Sequence, residues 1–375
     1  MRGFRLGRIL GVEVRIDRSW FIIFFLILWT FTAGVFPAGY PGHGPGTYAA
    51  MGVAGTLLFF ASLLAHELAH SVVARRRGIP VEGITLFVFG GIAHARMEAE
   101  RPGDEFVIAG VGPLSSLLIG ALFGAAGAVG RWAGLSPAIT GVAAYLSSIN
   151  IVLALFNLLP GFPLDGGRLF RAAAWKVTGD ATKATRWATA GGAGLGYALI
   201  AVGALQLILV GNLVGGVWLM FIGWFLRSAA EASMTQHLLL GSLEGVYARD
   251  LMSPRPETVP AALGLDEFVE EYLVRGRHSG YPVLDSGRTV GLMTLERVRA
   301  VPRAEWSRRT VADAMLPLNE ELTVRPQESM ASVLEKLGRA AAGRVLVTCN
   351  GNVEGVITQG DLARWFQRLR LLARN

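Results

Sequence analysis

Cysteine and charged residues are both scarce in this chain. The single cysteine, Cys349, excludes an internal disulfide and a thiolate metal cluster. Only 17% of the 375 residues are charged, whereas 52% are hydrophobic and the mean hydropathy is +0.44. Because the apolar residues stand in long runs, this composition indicates a multi-pass membrane protein in the lipid bilayer. The net charge of +7 does not indicate a nucleic-acid partner, since the basic residues are distributed like those in membrane-protein loops.

Six apolar stretches approach the length of about 20 residues that a helix needs to cross a bilayer. We expect spans at residues 19–34, 47–74, 106–129, 137–159, 188–210 and 213–226, the last extending to about 230. Lys and Arg number five in each of residues 1–18, 75–105 and 160–187, against one in 37–47, 130–136 and 211–212 together. This asymmetry predicts a cell-membrane protein with both termini in the cytoplasm.

A polar motif interrupts the second span. His66, Glu67 and His70 form the pattern His-Glu-x-x-His. On a helix, the two histidines share a face and can bind one metal ion, while Glu67 is offset and can act as a general base. Two packed histidines beside a snorkelling glutamate are the alternative, but ionisable residues in an apolar helix are costly unless they serve a site. We expect the site roughly 13 Å below the cytoplasmic surface, from the helical rise between His66 and Arg75.

The segment between the second and third spans is apolar but too short to cross the membrane. Residues 83–95 are rich in β-forming residues around Gly90-Gly91, which predicts an interfacial β-hairpin at 84–95. His94 is an additional metal ligand in one interpretation and an ordinary hairpin histidine in the other. In the third span, Gly112-Pro113 predicts a break whose free backbone groups are satisfied by neighbouring helices.

Two prolines and three glycines interrupt the end of the fourth span, at residues 156–168. Such a break predicts non-helical backbone that lines a protected cavity. Asp165 can supply a third, oxygen ligand to the metal, and Asn157 can hydrogen-bond a substrate carbonyl or the oxyanion formed from it. From the residues alone, Asp165 is equally well a helix cap and Asn157 a packing amide.

Together, these two motifs resemble the site-2 protease family of intramembrane zinc metalloproteases. The resemblance rests on His66-Glu67-x-x-His70 and on Asn157-x-x-Pro160-x-x-Pro163-Leu-Asp165-Gly-Gly. It implies that His66, His70 and Asp165 hold one Zn²⁺, that Glu67 is the base, and that Asn157 is the polar partner of the scissile peptide. It also implies that the substrate is a transmembrane protein, cut near its cytoplasmic side. A borderline metal such as cobalt can replace zinc in vitro.

From about residue 246 the composition becomes that of a soluble domain with an internal repeat. Asp250-Leu-Met-Ser-Pro254 recurs as Asp313-Ala-Met-Leu-Pro317, and Gly291-Leu-Met-Thr294 recurs as Gly355-Val-Ile-Thr358. Each unit reads as strand, helix, strand, strand, helix and resembles one half of a tandem CBS-domain pair, at about 247–303 and 308–370.

The CBS resemblance implies an adenine nucleotide of the ATP or AMP type between the two repeats. Its ribose and phosphates would contact Thr358 and Asp361 in the second repeat. The first repeat has Thr294 but carries Arg297 at the position of the acid, which puts one of the two nucleotide sites in doubt. A purely structural pair, or one that forms a homodimer, is the alternative.

The sequence therefore predicts a multi-pass α-helical membrane protein at 1–230, with about six transmembrane helices and the interfacial hairpin. A linker at 231–246 and a C-terminal α+β tandem CBS-domain module at 247–375 complete the chain. The leading function is regulated intramembrane proteolysis modulated by the CBS pair. A CBS-regulated transporter or metal channel is the alternative, because CBS pairs also accompany transporters and polar residues mark ion paths. A transport site has no need of Glu67 together with the distant Asn157–Asp165 segment, whereas peptide hydrolysis uses both.

Overall fold

The computed structural model describes residues 3–88, 90–95, 99, 101–243, 245–276, 278–340 and 342–372. The chain divides into two compact units, Met1–His237 and Leu238–Asn375. Each unit has hydrophobic clusters of its own.

Six helices in the described residues are long and apolar enough to cross a membrane, as the sequence predicts. Proline occupies the first helical position of three of them, where its missing N–H is not needed. The six long helices are α1 (Trp20–Thr30), which continues through Phe31–Val35 into α2 (Phe36–Gly39), α3 (Pro45–Arg76), α4 (Pro102–Trp132), α5 (Pro137–Asn157), α7 (Ala181–Leu205, continued by Gln206–Val210) and α8 (Leu213–Gly241), with the shorter α6 (Asp165–Thr178) between α5 and α7. Among these, α6 is too short to span and lies between the fourth and fifth crossings in the sequence.

Helix α4 lacks an expected break, and α8 is longer than expected. The prediction of a break at Gly112-Pro113 is wrong, because α4 continues without interruption and has Pro113 in its interior. An internal proline removes one backbone hydrogen bond, which tight packing of a buried helix can compensate. In addition, α8 runs on to Gly241, so most of the segment expected to link the two parts of the chain is helical.

A four-stranded sheet covers the end of α3 that carries the histidine motif. Its strands lie in the order β1 (Phe4–Ile9), β2 (Val12–Ile16), β3 (Val81–Phe87) and β4 (Gly90–Ala95). The β3–β4 pair is antiparallel and confirms the hairpin predicted from the sequence. By contrast, the sequence analysis treated residues 1–18 only as a basic segment and missed β1 and β2. The period-two alternation of β2 is just five residues long, too short to stand out beside five arginines.

The sheet contacts α3 through apolar packing and through a hydrogen bond from an arginine side chain. Val12, Ile84 and Leu86 form a buried cluster with Leu68, which lies inside the histidine motif. Arg75, near the end of α3, donates from Nη1 to the carbonyl of Leu10 in the β1–β2 turn, at 2.9 Å. Since Leu68 faces the sheet, the neighbouring positions His66 and His70 are turned toward another side of the helix.

The second unit is an α+β pair of repeats, as the sequence predicts. It has two four-stranded sheets, and the first strand of each repeat, Ser253–Pro254 or Leu316–Pro317, joins the sheet of the other repeat. The first repeat contains α9 (Ala248–Leu251), β5 (Ser253–Pro254), β6 (Val259–Pro260), α10 (Leu265–Phe268, continued by Val269–Val274), β7 (Gly280–Asp285), β8 (Arg288–Thr294), α11 (Leu295–Arg299) and a 3₁₀ helix (Arg303–Arg308). The second contains α12 (Val311–Ala314), β9 (Leu316–Pro317), β10 (Thr323–Val324), α13 (Met330–Arg339), β11 (Arg344–Cys349), β12 (Asn352–Thr358) and α14 (Gln359–Leu372).

Candidate active site

Three side chains from two helices converge in the first unit. Nε2 of His66 lies 3.1 Å from Oδ2 of Asp165, and Nε2 of His70 lies 3.2 Å from the same oxygen. The two Nε2 atoms are 3.2 Å apart. Both histidines are buried and Asp165 is nearly so. The structure thus brings together residues that are 99 positions apart in the sequence.

The other ring nitrogen of each histidine is held by α4. Nδ1 of His70 lies 2.6 Å from the carbonyl oxygen of Ile108, and Nδ1 of His66 lies 2.9 Å from the hydroxyl of Ser116. A carbonyl can only accept, so Nδ1 of His70 carries a proton, and in the neutral ring Nε2 then has a free lone pair. The Ser116 hydroxyl can accept in the same way from His66. Both rings therefore present Nε2 to Asp165.

These three groups fit a zinc ion. Ligand atoms about 2.0–2.2 Å from one tetrahedral zinc ion lie about 3.3 Å from one another, close to the three separations seen between His66, His70 and Asp165. The helix that backs the site also leaves room: a Cβ on Gly112 would lie 2.1 Å from Nε2 of His70 and 2.7 Å from Nε2 of His66. Two imidazoles and a carboxylate are, moreover, a donor set that zinc accepts in hydrolytic sites, with a fourth position left open.

Glu67 lies beside this group and is half-buried. It packs against the start of β4, where a Cβ on Gly91 would stand 2.6 Å from Cγ of Glu67 and 3.3 Å from its Oε1. Because glycine has no side chain, strand β4 can lie directly over the Glu67 carboxylate. The hairpin thus limits the positions that this carboxylate can take.

The structure puts Asn157 at a helix end that packs against the Asp165 helix, and it describes only the backbone of His94. Asn157 is the last residue of α5 and is half-buried. The next residue, Leu158, has its carbonyl oxygen 2.2 Å from where a Cβ on Gly166 would be, so the end of α5 packs on the first turn of the Asp165 helix. For His94, the backbone pairs with β3 but the side chain lies outside the described residues.

Ser116 is a site residue that the sequence analysis missed. The signal that could have revealed it is a spacing: Ile108, Gly112 and Ser116 are four residues apart and therefore share one face of α4. All three are buried. A serine and a glycine in an apolar span are common, however, and nothing in the sequence links this face to the motif on α3.

The second unit has a cleft of about 450 Å³ that contains two of the predicted nucleotide-binding residues. Both the backbone N–H and the hydroxyl of Thr358 donate to Oδ2 of Asp361, at 2.8 and 2.6 Å. Burial alone would raise the pKa of Asp361, but these bonds, together with those from Ser253 and Arg364, hold that pKa below its usual value. Basic residues also line the cleft, namely Arg255, His278, Arg344 and Arg364.

The matching positions of the first repeat look different. The hydroxyl of Thr294 accepts from the backbone N–H of Arg297, and Nε of Arg297 donates to the carbonyl of Ala314 at 2.7 Å. At the sequence position where the second repeat has a carboxylate, the first repeat therefore has a guanidinium that is bonded to the backbone. In place of Ser253, the first repeat's sheet receives Leu316, which packs in an apolar cluster with Leu292.

Comparison with known proteins agrees with this arrangement. Peptidase family M50 matches residues 54–142 and 127–201, and the CBS domain matches 248–303 and 311–368. A Mycobacterium tuberculosis protein with the provisional name zinc metalloprotease Rip3 is 41% identical over 369 residues, 98% of this chain and 93% of that protein. A Synechocystis protein with the provisional name zinc metalloprotease sll0528 is 33% identical over 367 residues, 97% of this chain and 95% of that protein.

Among solved structures, the site-2 protease from Methanocaldococcus jannaschii is 27% identical and covers 62% of this chain and 95% of that chain, with a TM-score of 0.43. The alignments with the two relatives at 41% and 33% identity, by contrast, cover nearly the whole of this chain and of each relative. The resemblance that the two motifs predicted is thereby confirmed. This chain is a zinc metalloprotease of Peptidase family M50, the site-2 protease family, and carries a C-terminal pair of CBS domains.

Proposed function

We propose that the protein hydrolyses a peptide bond of a transmembrane protein inside the bilayer, near the cytoplasmic side. The observation that carries the proposal is that Asp165 converges with His66 and His70, which lie beside Glu67 on a helix long enough to span a membrane. The proposed depth is supported by the distribution of the basic loops, which favours cytoplasmic termini and a motif near the cytoplasmic end of α3. Membership of a metalloprotease family leaves the transporter or channel interpretation without support.

In this mechanism each residue has a distinct task. His66, His70 and Asp165 would hold Zn²⁺, which when bound acidifies a water molecule and polarises the scissile carbonyl. Glu67 removes the proton from the attacking water and then delivers it to the leaving amine. The Asn157 amide donates a hydrogen bond to the oxygen of the carbonyl as negative charge develops on it.

The substrate must unwind before it can react, because a transmembrane helix hides its carbonyls in its own hydrogen bonds. Strand β4 is at one end of the sheet order and so offers an edge on which an extended segment can add as a fifth strand. Since Gly91 of β4 touches Glu67, a peptide on this edge runs past the proposed base.

Cleavage of a single-span test protein by the detergent-purified enzyme would test the proposal, with Glu67→Gln assayed beside the wild type and zinc counted in both. We expect about one zinc ion per chain in both samples and cleavage in the wild type alone, because the amide of the variant cannot take a proton. Cleavage that survives in Glu67→Gln would contradict the role of Glu67. A wild type that binds no zinc would contradict the metal site.

For the CBS pair we propose that one adenine nucleotide binds in the cleft beside Thr358 and Asp361 and changes the rate of cleavage. The low pKa of Asp361 keeps it ionised and ready to accept hydrogen bonds from ribose hydroxyls, and the arginines of the cleft favour phosphate. Cleavage by the full chain, measured with and without ATP or AMP, tests this regulation. Equal rates across a millimolar range of both nucleotides would contradict it.

A further inference from the structure

A buried ion pair joins α4 to α6, outside the group of residues that would touch metal or substrate. Glu105 is fully buried in the first turn of α4, and Arg171 is 7% exposed in α6. Nε of Arg171 donates to Oε1 of Glu105 at 2.7 Å. The guanidinium also lies over the ring of Phe162, with 5.7 Å between its central carbon and the ring centroid. The pair is therefore both buried and oriented.

A gain in stability does not by itself explain why two opposite charges are buried here. Removing a carboxylate and a guanidinium from water is unfavourable, and packed apolar residues of similar volume often give equal stability. What a charged pair adds is direction, since a planar guanidinium binds a carboxylate in few geometries. The pair is thus suited to fix how α6 lies on α4.

Of the two helices that it joins, α4 orients the two histidines and α6 carries Asp165. Glu105 is three residues before Ile108, whose carbonyl holds His70, on the same face of α4 as Ser116. Arg171 is six residues after Asp165, which begins α6. The pair lies about 5 Å along α4 from Ile108 and about 9 Å along α6 from Asp165.

We infer that Glu105 and Arg171 are positioning residues that set the Asp165 carboxylate against the two imidazoles. The inference rests on the proposed role of Asp165 as a metal ligand. In the absence of the pair, α6 can shift or rotate on α4, and the carboxylate no longer meets Nε2 of His66 and His70 at a common point.

The neighbouring residue supplies a matched control. Asp104, also in the first turn of α4, is paired with Arg77 just beyond the end of α3. This second pair is more exposed, with 26% and 43% of the two side chains accessible, and it does not involve α6. Asp104→Asn therefore removes a similar charge from the same turn without releasing the Asp165 helix.

The test measures Zn²⁺ affinity of the detergent-purified full chain by competition with a chromophoric chelator. Because a single substitution removes one charge of the buried pair and keeps the other, the main variant is the double substitution Glu105→Leu with Arg171→Met, which removes both charges. We expect its zinc dissociation constant to rise about tenfold, as on loss of supporting contacts at other zinc sites. Asp104→Asn should leave the constant unchanged.

The same substitutions are then made in an Asp165→Asn background, which isolates the route of the effect. If the pair acts through Asp165, the tenfold difference disappears there, because the ligand that it positions is already gone. A double variant with wild-type zinc affinity, or an equal loss in the Asp165→Asn background, would overturn the inference while the proposed metal site stands. A wild-type chain that binds no zinc would overturn the proposed function as well.

Discussion

The Ser116 hydroxyl lies 2.9 Å from Nδ1 of His66, whose other ring nitrogen faces Asp165. Histidines that bind metals commonly give their second N–H to such a partner, which fixes both the ring orientation and the tautomer. Here Ser116 and the Ile108 carbonyl do so for both imidazoles from a single face of α4. Helix α4 contributes no candidate ligand of its own, yet it orients the two histidines.

Loss of this hydroxyl should weaken metal binding. For Ser116→Ala we expect a zinc dissociation constant about 10–100-fold higher than that of the wild type, the usual effect of losing such a partner. Ser115→Ala is the matched control, because the Ser115 hydroxyl bonds to the Gly112 carbonyl of its own helix rather than to a histidine. Chelator competition on both variants measures the difference. Equal affinities would show that His66 keeps its orientation without Ser116.

A side chain at Gly112 should abolish the metal site. The Cβ of Gly112→Ala would overlap Nε2 of both histidines, so the rings would have to turn away from Asp165. Gly110→Ala is the control one half-turn away, since a Cβ there meets its nearest neighbour, Leu169, at an ordinary 3.6 Å. We expect zinc near zero per chain in Gly112→Ala and near one in Gly110→Ala, measured by elemental analysis. Full zinc occupancy in Gly112→Ala would be incompatible with the geometry described.

The fold could be predicted well wherever the sequence signal for an element is local. The six spans, the β3–β4 hairpin and the α+β repeats follow from run length, strand composition and repetition. Position-specific motifs also singled out His66, His70 and Asp165, which the fold brings together. These features depend on residues a few positions apart, or on a spacing that a family shares.

The contacts that support the site could not be predicted in the same way. Ser116 meets His66 across 50 positions, and Arg171 meets Glu105 across 66. Each is one polar residue whose partner is fixed only by how the helices pack. The strands β1 and β2 were missed for a related reason, because β2 is held by a parallel partner about 70 residues further along the chain. Likewise, Gly112-Pro113 suggested a break in α4. In the structure the helix continues, and the missing side chain of Gly112 leaves space for the two imidazoles.

Strand β4 should control the position of the proposed base without affecting the metal. In Gly91→Ala, the new Cβ would displace Glu67, whose Cγ lies 2.6 Å from that position. We expect kcat to fall up to about 100-fold, the scale reported for a displacement of about 1 Å in a catalytic group. Zinc affinity should stay at the wild-type value. An unchanged kcat, or a fall in zinc affinity that matches the fall in kcat, would contradict this role of the strand.

The two CBS repeats should differ in nucleotide binding, because the same position holds Asp361 in one and Arg297 in the other. Asp361 is ionised and joined to Thr358 in the cleft, whereas Arg297 is bonded to the Ala314 carbonyl. We therefore expect about one ATP or AMP per chain, measured by calorimetry on the full chain. Asp361→Ala should raise the dissociation constant about tenfold or more, through loss of charge-assisted hydrogen bonds worth roughly 1.5–3 kcal/mol. Arg297→Ala, at the matched position, should leave it unchanged. Two nucleotides per chain, or equal losses from both substitutions, would show that the first repeat also binds.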